Sequence, residues 1–400
     1  MISKPLLLAG ILASMAAPAL AAADLEPCSA RGPTQAPLEY RSVDVLADGR
    51  VTFRLCAPEA SSAHLVSGDI DSVPTGYDGG PQGLAMERDS QGYWLTTTAD
   101  PVKPGVHVYG FRVAGVVIAD PQSQTPANEA RGARSSFYVS SPQLAFEAYR
   151  PDIPHGLVST FEYPSKSTNS LRRAEVYTPP GYEAGDHGRY PVLYLVHGVG
   201  DSELSWIQKG RAAYILDNLI ADGKAPPMIV VMPFGHTPPR PGVDNRFNSD
   251  FRDDLINDLV PAIDARFRTE ARPARRAMAG LSMGGLHTIN FGLTRPDVFG
   301  SIGVFSIGFI GDENLARFEK NDMDALRRRA AAGTLVYYTI GKTDPVMPLV
   351  APTRRLFDAA GLKYQYVETE GGHEWSVWRA DLRDFATKVF APATSRKPGR

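Results

Sequence analysis

The pentapeptide Gly280-Leu281-Ser282-Met283-Gly284 carries the sharpest chemical signal in the chain. It follows the small apolar run Ala277-Met278-Ala279 and opens the stretch Leu286 to Leu293, so it reads as a turn from a buried strand into a helix. Glycine is needed on both sides of such a serine, because the turn is strained and a Cβ there would strike neighbouring strands. The turn lifts the Ser282 hydroxyl clear and aims the Met283 N–H and the new helix's N-terminus at a developing oxyanion. A serine hydroxyl needs a base, and the base an orienting carboxylate, in the chain order Ser, Asp, His. Asp344 ends Gly341-Lys342-Thr343-Asp344 after the apolar run closing at Ile340, and His373 ends Gly371-Gly372-His373 after Tyr364 to Val367. These three are the expected nucleophile, acid and base. His197 and His236 precede the serine, and His287 lies on a helix expected to point away from it. The plainer alternatives are a helix cap at Asp344 before Pro345 and an unreactive loop histidine at His373.

An oxyanion also needs a second backbone donor, from the loop after an earlier strand. His197-Gly198-Val199-Gly200 follows the buried run Val192 to Val196, and its donor is expected at Val199 to within one residue; a simple tight turn is the alternative. Trp206, Phe234, Trp375 and Trp378 are candidates to line an aromatic acyl pocket, although packing would account equally well for half of them. Rival chemistries are thin. His373-Glu374-Trp375-Ser376-Val377 lacks the second histidine of a zinc-protease helix, Gly198 to Glu203 lacks the third glycine of a dinucleotide turn, and there is no phosphate loop. Neither a metal nor a cofactor is expected.

The elements that must position these residues change character along the chain. Val51, Phe53 and Leu55 alternate with Thr52, Arg54 and Cys56, and His107, Tyr109, Phe111 and Val113 repeat the pattern after the turn at Pro104-Gly105. Short strands at this spacing predict a small immunoglobulin-like β-sandwich over residues 40–140. A polar linker is expected at 141–160. Beyond it, continuous apolar runs at Val192 to Val196, Met228 to Met232, Ile302 to Ile307 and Leu335 to Ile340 alternate with amphipathic stretches such as Phe251 to Phe267. That rhythm predicts an α/β domain over 161–391, a mostly parallel sheet covered on both faces, with its active site at the carboxyl ends of the strands. Residues 392–400 are expected to be a flexible tail.

Met1 to Ala21 reads as a secretory signal peptide: Lys4 supplies the positive start, Leu6 to Ala17 the apolar stretch and Ala19-Leu20-Ala21 the cleavage site. The expectation is a secreted or periplasmic protein with no membrane anchor. In that oxidising setting Cys28 and Cys56, the only two cysteines, are expected to pair rather than remain free thiols. A formal charge of −2, from 42 Lys and Arg against 44 Asp and Glu, offers no field for nucleic acid. The oligomeric state has no signature.

The segments Ala174 to Tyr182, Tyr190 to Gly198, Gly280 to Gly285 and Gly371 to Trp375 together resemble the esterase D and carbohydrate esterase family 1 lineage of α/β-hydrolases. The resemblance spans about Phe161 to Phe390 and departs from the common His-Gly-x-Gly-Gly at Asp201. It implies a serine esterase with Ser282, Asp344 and His373 as triad and the Val199 and Met283 amides as oxyanion hole. The implied substrate is a hydroxycinnamoyl ester of plant arabinoxylan. Acetyl xylan, or a catecholate siderophore trilactone met by cations such as Arg240 and Arg246, are the alternatives, and a non-catalytic glycan-binding protein is the remaining one. Val51 to Pro58, Gly92-Tyr93-Trp94, Pro104 to Tyr109 and Asp120-Pro121 resemble a family 48 carbohydrate-binding module. On that resemblance Tyr93, Trp94, Tyr109 and Phe111 are candidate sugar platforms, with sandwich core as the competing role.

Overall fold

Strict alternation holds over Val51 to Leu55, where Val51, Phe53 and Leu55 are buried while Thr52 and Arg54 between them are not. Over 105–113 the expected alternation is broken, since Val106 and Gly110 are buried along with His107, Tyr109 and Phe111, and Val113 is half-buried. The computed structural model describes residues 25–32, 34–75, 82–130, 132–184, 188–242 and 249–391. The expected signal peptide, the tail 392–400 and Arg246 lie outside them. Nine strands form two small antiparallel sheets: β1 (Val43–Val45), β2 (Val51–Leu55), β3 (Ala63–Val66), β4 (Leu84–Ala85), β5 (Glu87–Arg88), β6 (Trp94–Thr97), β7 (Gly105–Val113), β8 (Val116–Ile118) and β9 (Ser135–Val139). One sheet runs β1-β2-β6-β5; the other runs β4-β3-β7-β8, with β9 also paired to β7. They share a core containing Phe53, Leu65, Trp94, Tyr109 and Phe111. A disulfide joins Cys28 to Cys56 and ties the start of the described chain to the end of β2.

Of the four aromatic residues considered as sugar platforms, Trp94, Tyr109 and Phe111 are in this core, and Tyr93 is buried against Tyr40. Tyr93, Tyr109 and Phe111 are at most 1% exposed and Trp94 is 9% exposed. Their polar tips are satisfied internally: Tyr93 Oη donates to Glu26 O, Trp94 Nε1 to Ala57 O and Tyr109 Oη to Asp120.

The second half is an α/β-hydrolase fold. Its eight strands are β10 (Leu157–Ser165), β11 (Ser170–Thr178), β12 (Val192–Val196), β13 (Ile229–Pro233), β14 (Arg276–Leu281), β15 (Ser301–Phe305), β16 (Val336–Gly341) and β17 (Gln365–Thr369). Their spatial order is β10-β11-β13-β12-β14-β15-β16-β17. The pairings of β10 with β11 and β11 with β13 are antiparallel and the rest are parallel. The helices are α1 (Ser205–Gln208), α2 (Ala212–Ala221), α3 (Asp250–Asp253), α4 (Val260–Arg266), α5 (Met283–His287), α6 (Asp312–Ala332), α7 (Val350–Ala359) and α8 (Trp375–Ala386). Leu286 of α5, Ile263 of α4 and Phe357 of α7 pack on one face of the sheet; Ile215 of α2 and Phe385 of α8 pack on the other. Coverage on both faces is why the central strands are apolar without alternation. The chain leaves β12 for β13 on one side and later returns as β14 on the other, so the carboxyl ends of β12 and β14 bound the crevice where such folds place their ligands.

The segment expected as a linker, 141–160, is built into the packing. Pro142–Glu147 forms a 3-10 turn, and Asn218 Nδ2 on α2 donates to the carbonyls of Phe146 (3.0 Å) and Ala148 (2.9 Å). Glu147 is wholly buried and accepts from Arg379 Nε of α8 at 2.8 Å. The hydrolase sheet itself begins at Leu157, inside the expected linker.

Candidate active site

Ser282 sits between β14 and α5 at φ 51° and ψ −115°, a strained conformation for a residue with a side chain. The flanking glycines make it possible. A Cβ on Gly280 would lie 2.5 Å from the Gly284 carbonyl carbon, and one on Gly284 would lie 2.4 Å from Val196 O. The elbow therefore presses directly against the end of β12.

The acid and base come from neighbouring strand ends that are stitched together. Lys342 N–H donates to Thr369 O at 2.8 Å and Thr343 N–H to Gly371 O at 3.0 Å, which brings the loop after β16 against the loop after β17. His373 Nδ1 then lies 3.1 and 3.0 Å from the two Asp344 carboxylate oxygens, and His373 Nε2 lies 3.0 Å from Ser282 Oγ. With Nδ1–H facing the carboxylate, Nε2 is the acceptor for the Ser282 hydroxyl proton. Burial alone would push the Asp344 carboxyl up, but the hydrogen bonds from His373 and from Val346 N–H (2.9 Å) outweigh it and hold the group below its usual value. Asp344 thus caps the following turn and faces the imidazole at once.

Val199 is 63% exposed at the tip of the loop after β12, and Met283 opens α5 beside it. The Gly198-Val199-Gly200-Asp201 turn is closed by Asp201 N–H donating to Gly198 O at 3.3 Å, with Gly200 at φ 82°. Gly198 packs on the elbow, since a Cβ there would meet Leu281 Cδ1 at 2.7 Å and Ser282 Cβ at 3.5 Å.

His197, set aside above as a base, has a different place. It is fully buried; its Nδ1 donates to Gly198 O at 2.8 Å and its Nε2 accepts from Gly235 N–H at 2.9 Å. Desolvation pushes it down to about 3, so it stays neutral and rivets the Val199 loop to the loop after β13. Its position directly before the loop glycine was the available sequence signal. His287 is also buried, packed between the rings of Phe251 and Phe291.

A cavity of about 550 Å³ opens at His373. Val199, Trp375 and Trp378 line one side, and the other is supplied by front-sandwich residues including Asp69, Asp71, Lys103 and Glu129. The sequence offered no sign of this second wall. Trp378 stands edge-on to His373, ring centroids 5.0 Å apart at 89°. Trp206 does not reach the cavity: it is wholly buried and braces Trp375 from behind at 5.2 Å. Phe234 is half-buried beside His197 and His236 and is not among the lining residues. Arg240 is paired with Asp250 at 2.6 Å. Among the described residues no cluster of His, Cys, Asp or Glu is arranged to hold a metal ion.

Residues 165–388 match the family described as "Putative esterase". The chain belongs to this family of carboxylic ester hydrolases. It is 36% identical over 359 residues to an endo-1,4-beta-xylanase/feruloyl esterase of Xylanibacter ruminicola, covering 88% of this chain and 46% of that protein. The chain thus spans about half the length of the curated relatives it matches. A carbohydrate esterase family 1 ferulic acid esterase from the anaerobic fungus Anaeromyces mucronatus superimposes with a TM-score of 0.52 at 23% identity, over 61% of this chain and 94% of that one. The enterobactin esterase of Shigella flexneri superimposes with a TM-score of 0.57 at 18% identity, over 85% of this chain and 93% of that one. At these identities the structural likenesses establish the fold.

Proposed function

We propose that this protein is an exported serine esterase that releases hydroxycinnamoyl groups, such as ferulate, from ester-bearing arabinoxylan or its oligosaccharides. The observation that carries the chemistry is the hydrogen-bonded line from Asp344 through His373 to Ser282. Ser282 Oγ attacks the ester carbonyl as His373 Nε2 takes its proton, and the Met283 and Val199 amides receive the tetrahedral oxyanion. His373 returns the proton to the departing sugar hydroxyl. A water molecule, deprotonated by the same nitrogen, then cleaves the acyl-enzyme and frees the acid and Ser282.

The acyl preference rests on the aromatic wall of Trp375 and Trp378 and on the activity in the name of the Xylanibacter relative. The preference for a neutral glycan over an anionic substrate rests on cavity charges that are already paired: Lys103 with Asp71 at 2.8 Å, and Lys209 with Asp201 at 2.8 Å and Glu129 at 3.0 Å. The second reading, a catecholate trilactone, draws support from the enterobactin esterase, whose likeness extends over 85% of this chain and so into its front sheets.

The test is a comparison of initial rates on methyl ferulate, acetylated xylan and a catecholate trilactone, with Ser282→Ala as control. Ferulate release that falls by at least about 10³-fold in Ser282→Ala is expected. Acetyl release without ferulate release would overturn the acyl assignment. Export predicts a mature N-terminus near Ala22, readable by N-terminal sequencing of protein recovered from outside the cytoplasm.

A further inference from the structure

The loop that carries Val199 is held from two directions. His197 grips its first residue, as described above. Its far end, Gly200 to Ser202, is gripped by a segment of the front sandwich between β8 and β9. Ala130 N–H donates to Gly200 O at 3.0 Å, and Ser202 Oγ donates to Asn128 O at 3.1 Å. Asn128 N–H donates to Gln208 Oε1 at 2.7 Å. Between these contacts the Lys209 ammonium bridges Glu129 Oε1 of the front segment and Asp201 Oδ1 of the loop. The side chains of Lys209 and Asp201 are 5% and 10% exposed. Asp201 is also the residue at which the sequence departs from the glycine of the esterase pattern, and its carboxylate is what Lys209 holds.

We infer that Glu129 and Lys209 are positioning residues for ester hydrolysis: through Asp201 they fix the loop that presents the Val199 amide, so the front sandwich completes the oxyanion hole. The inference rests on the serine-esterase reading above. The ammonium remains charged in this setting, since burial would lower its pKa but Asp201 and Glu129 raise it further. Lys209 is itself anchored, because its carbonyl accepts from Arg379 Nη1 at 3.0 Å. The strut therefore starts from a fixed point on the hydrolase side. Loss of one link should let the Val199 amide wander from a position that must be held within about 0.5 Å to stabilise the transition state.

Glu129→Ala and Glu129→Gln are the informative variants, since the Glu129 side chain is 25% exposed and its removal leaves no buried void. Rates on methyl ferulate are measured per active site titrated with a fluorophosphonate, together with inhibition by an arylboronic acid that forms a tetrahedral adduct on Ser282. For Glu129→Ala the expected kcat falls about 10- to 100-fold with KM within about twofold, and the boronic acid weakens by the same factor as kcat. Glu129→Gln keeps an oxygen acceptor for Lys209 and is expected to recover most of the rate. In a Lys209→Met background the Glu129→Ala change should have little further effect.

A wild-type rate per titrated site in Glu129→Ala overturns the inference, as does a loss carried by KM alone, which would make Glu129 a substrate contact. A loss explained by fewer folded sites also overturns it. Failure of the serine-esterase reading would look different: wild-type protein and Ser282→Ala would cleave the ester equally.

Discussion

Asp344 and Asp381 are both buried carboxylates close to the same loops, and their surroundings push them in opposite directions. Asp344 faces an imidazole and a backbone N–H, and stays below its usual value despite burial. Asp381 on α8 is pushed up to about 6 by burial. Hydrogen bonds from Thr339 and Thr369 at 2.7 Å work against that shift, and the negative charges of Asp384 and Asp344 reinforce it. A carboxyl whose folded value lies above its usual 3.8 adds stability below about pH 4 that is lost as pH rises through about 6. The full difference corresponds to about 3 kcal/mol. Asp381→Asn should therefore resist urea better than wild type at pH 8, with the advantage shrinking to nothing by pH 4. A gap that does not change with pH would mean that the buried charge is not its cause. Residue types alone pointed to Ser282, Asp344 and His373, which the structure brings within hydrogen-bond distance of one another, because the proposed chemistry needs side chains that few residues supply. They could not distinguish Trp375 from Trp206, since indoles that line a cavity and indoles that support its wall from behind read alike.

At the scale of elements, the elbow was legible because its constraint is local and steric. Two glycines flank the serine wherever a strand must turn into a helix this tightly, and Gly284 meets that constraint against Val196 O and His197 O, at 2.4 and 2.6 Å from an added Cβ. Both contacts are backbone and cannot swing aside. Gly284→Ala must therefore push α5 away from β12, and with it the Met283 amide away from the Val199 loop. The expected result is an esterase rate lower by about 10²-fold, from a displacement on the order of 1 Å. A loss of stability of about 1–3 kcal/mol should accompany it. Activity assays and thermal unfolding on the same preparation check the two effects. The parallel strands were equally legible from their unbroken apolar runs. Alternation was legible over Val51 to Leu55 and less so in β7, which also buries Val106 and Gly110. The aromatics of these strands were open to two uses, because alternation tells which residues share a face and not which face another sheet covers.

At the scale of the whole molecule, the joins between regions were hidden from sequence reading. Arg379 and Glu147 are separated by 232 positions, and no periodicity connects them. Their side chains are 2% and 0% exposed, so removing one partner strands a charge in a dry interior. Glu147→Ala should cost about 3–5 kcal/mol in urea unfolding, and Glu147→Gln, which can still accept from Arg379, should cost less. The cavity wall supplied by Asp69, Lys103 and Glu129 was hidden for the same reason: it exists only once the front sandwich docks beside His373.

The docked connection between the two halves also bears on protein engineering. A fusion protein that borrows only residues 161–391 would begin partway along β10, which pairs with β11 from Leu157 onward. It would also leave Arg379 without its carboxylate and Lys209 without Glu129. The portable cassette is the front sandwich, the pinned 142–147 turn and the hydrolase sheet together, transplanted as one block.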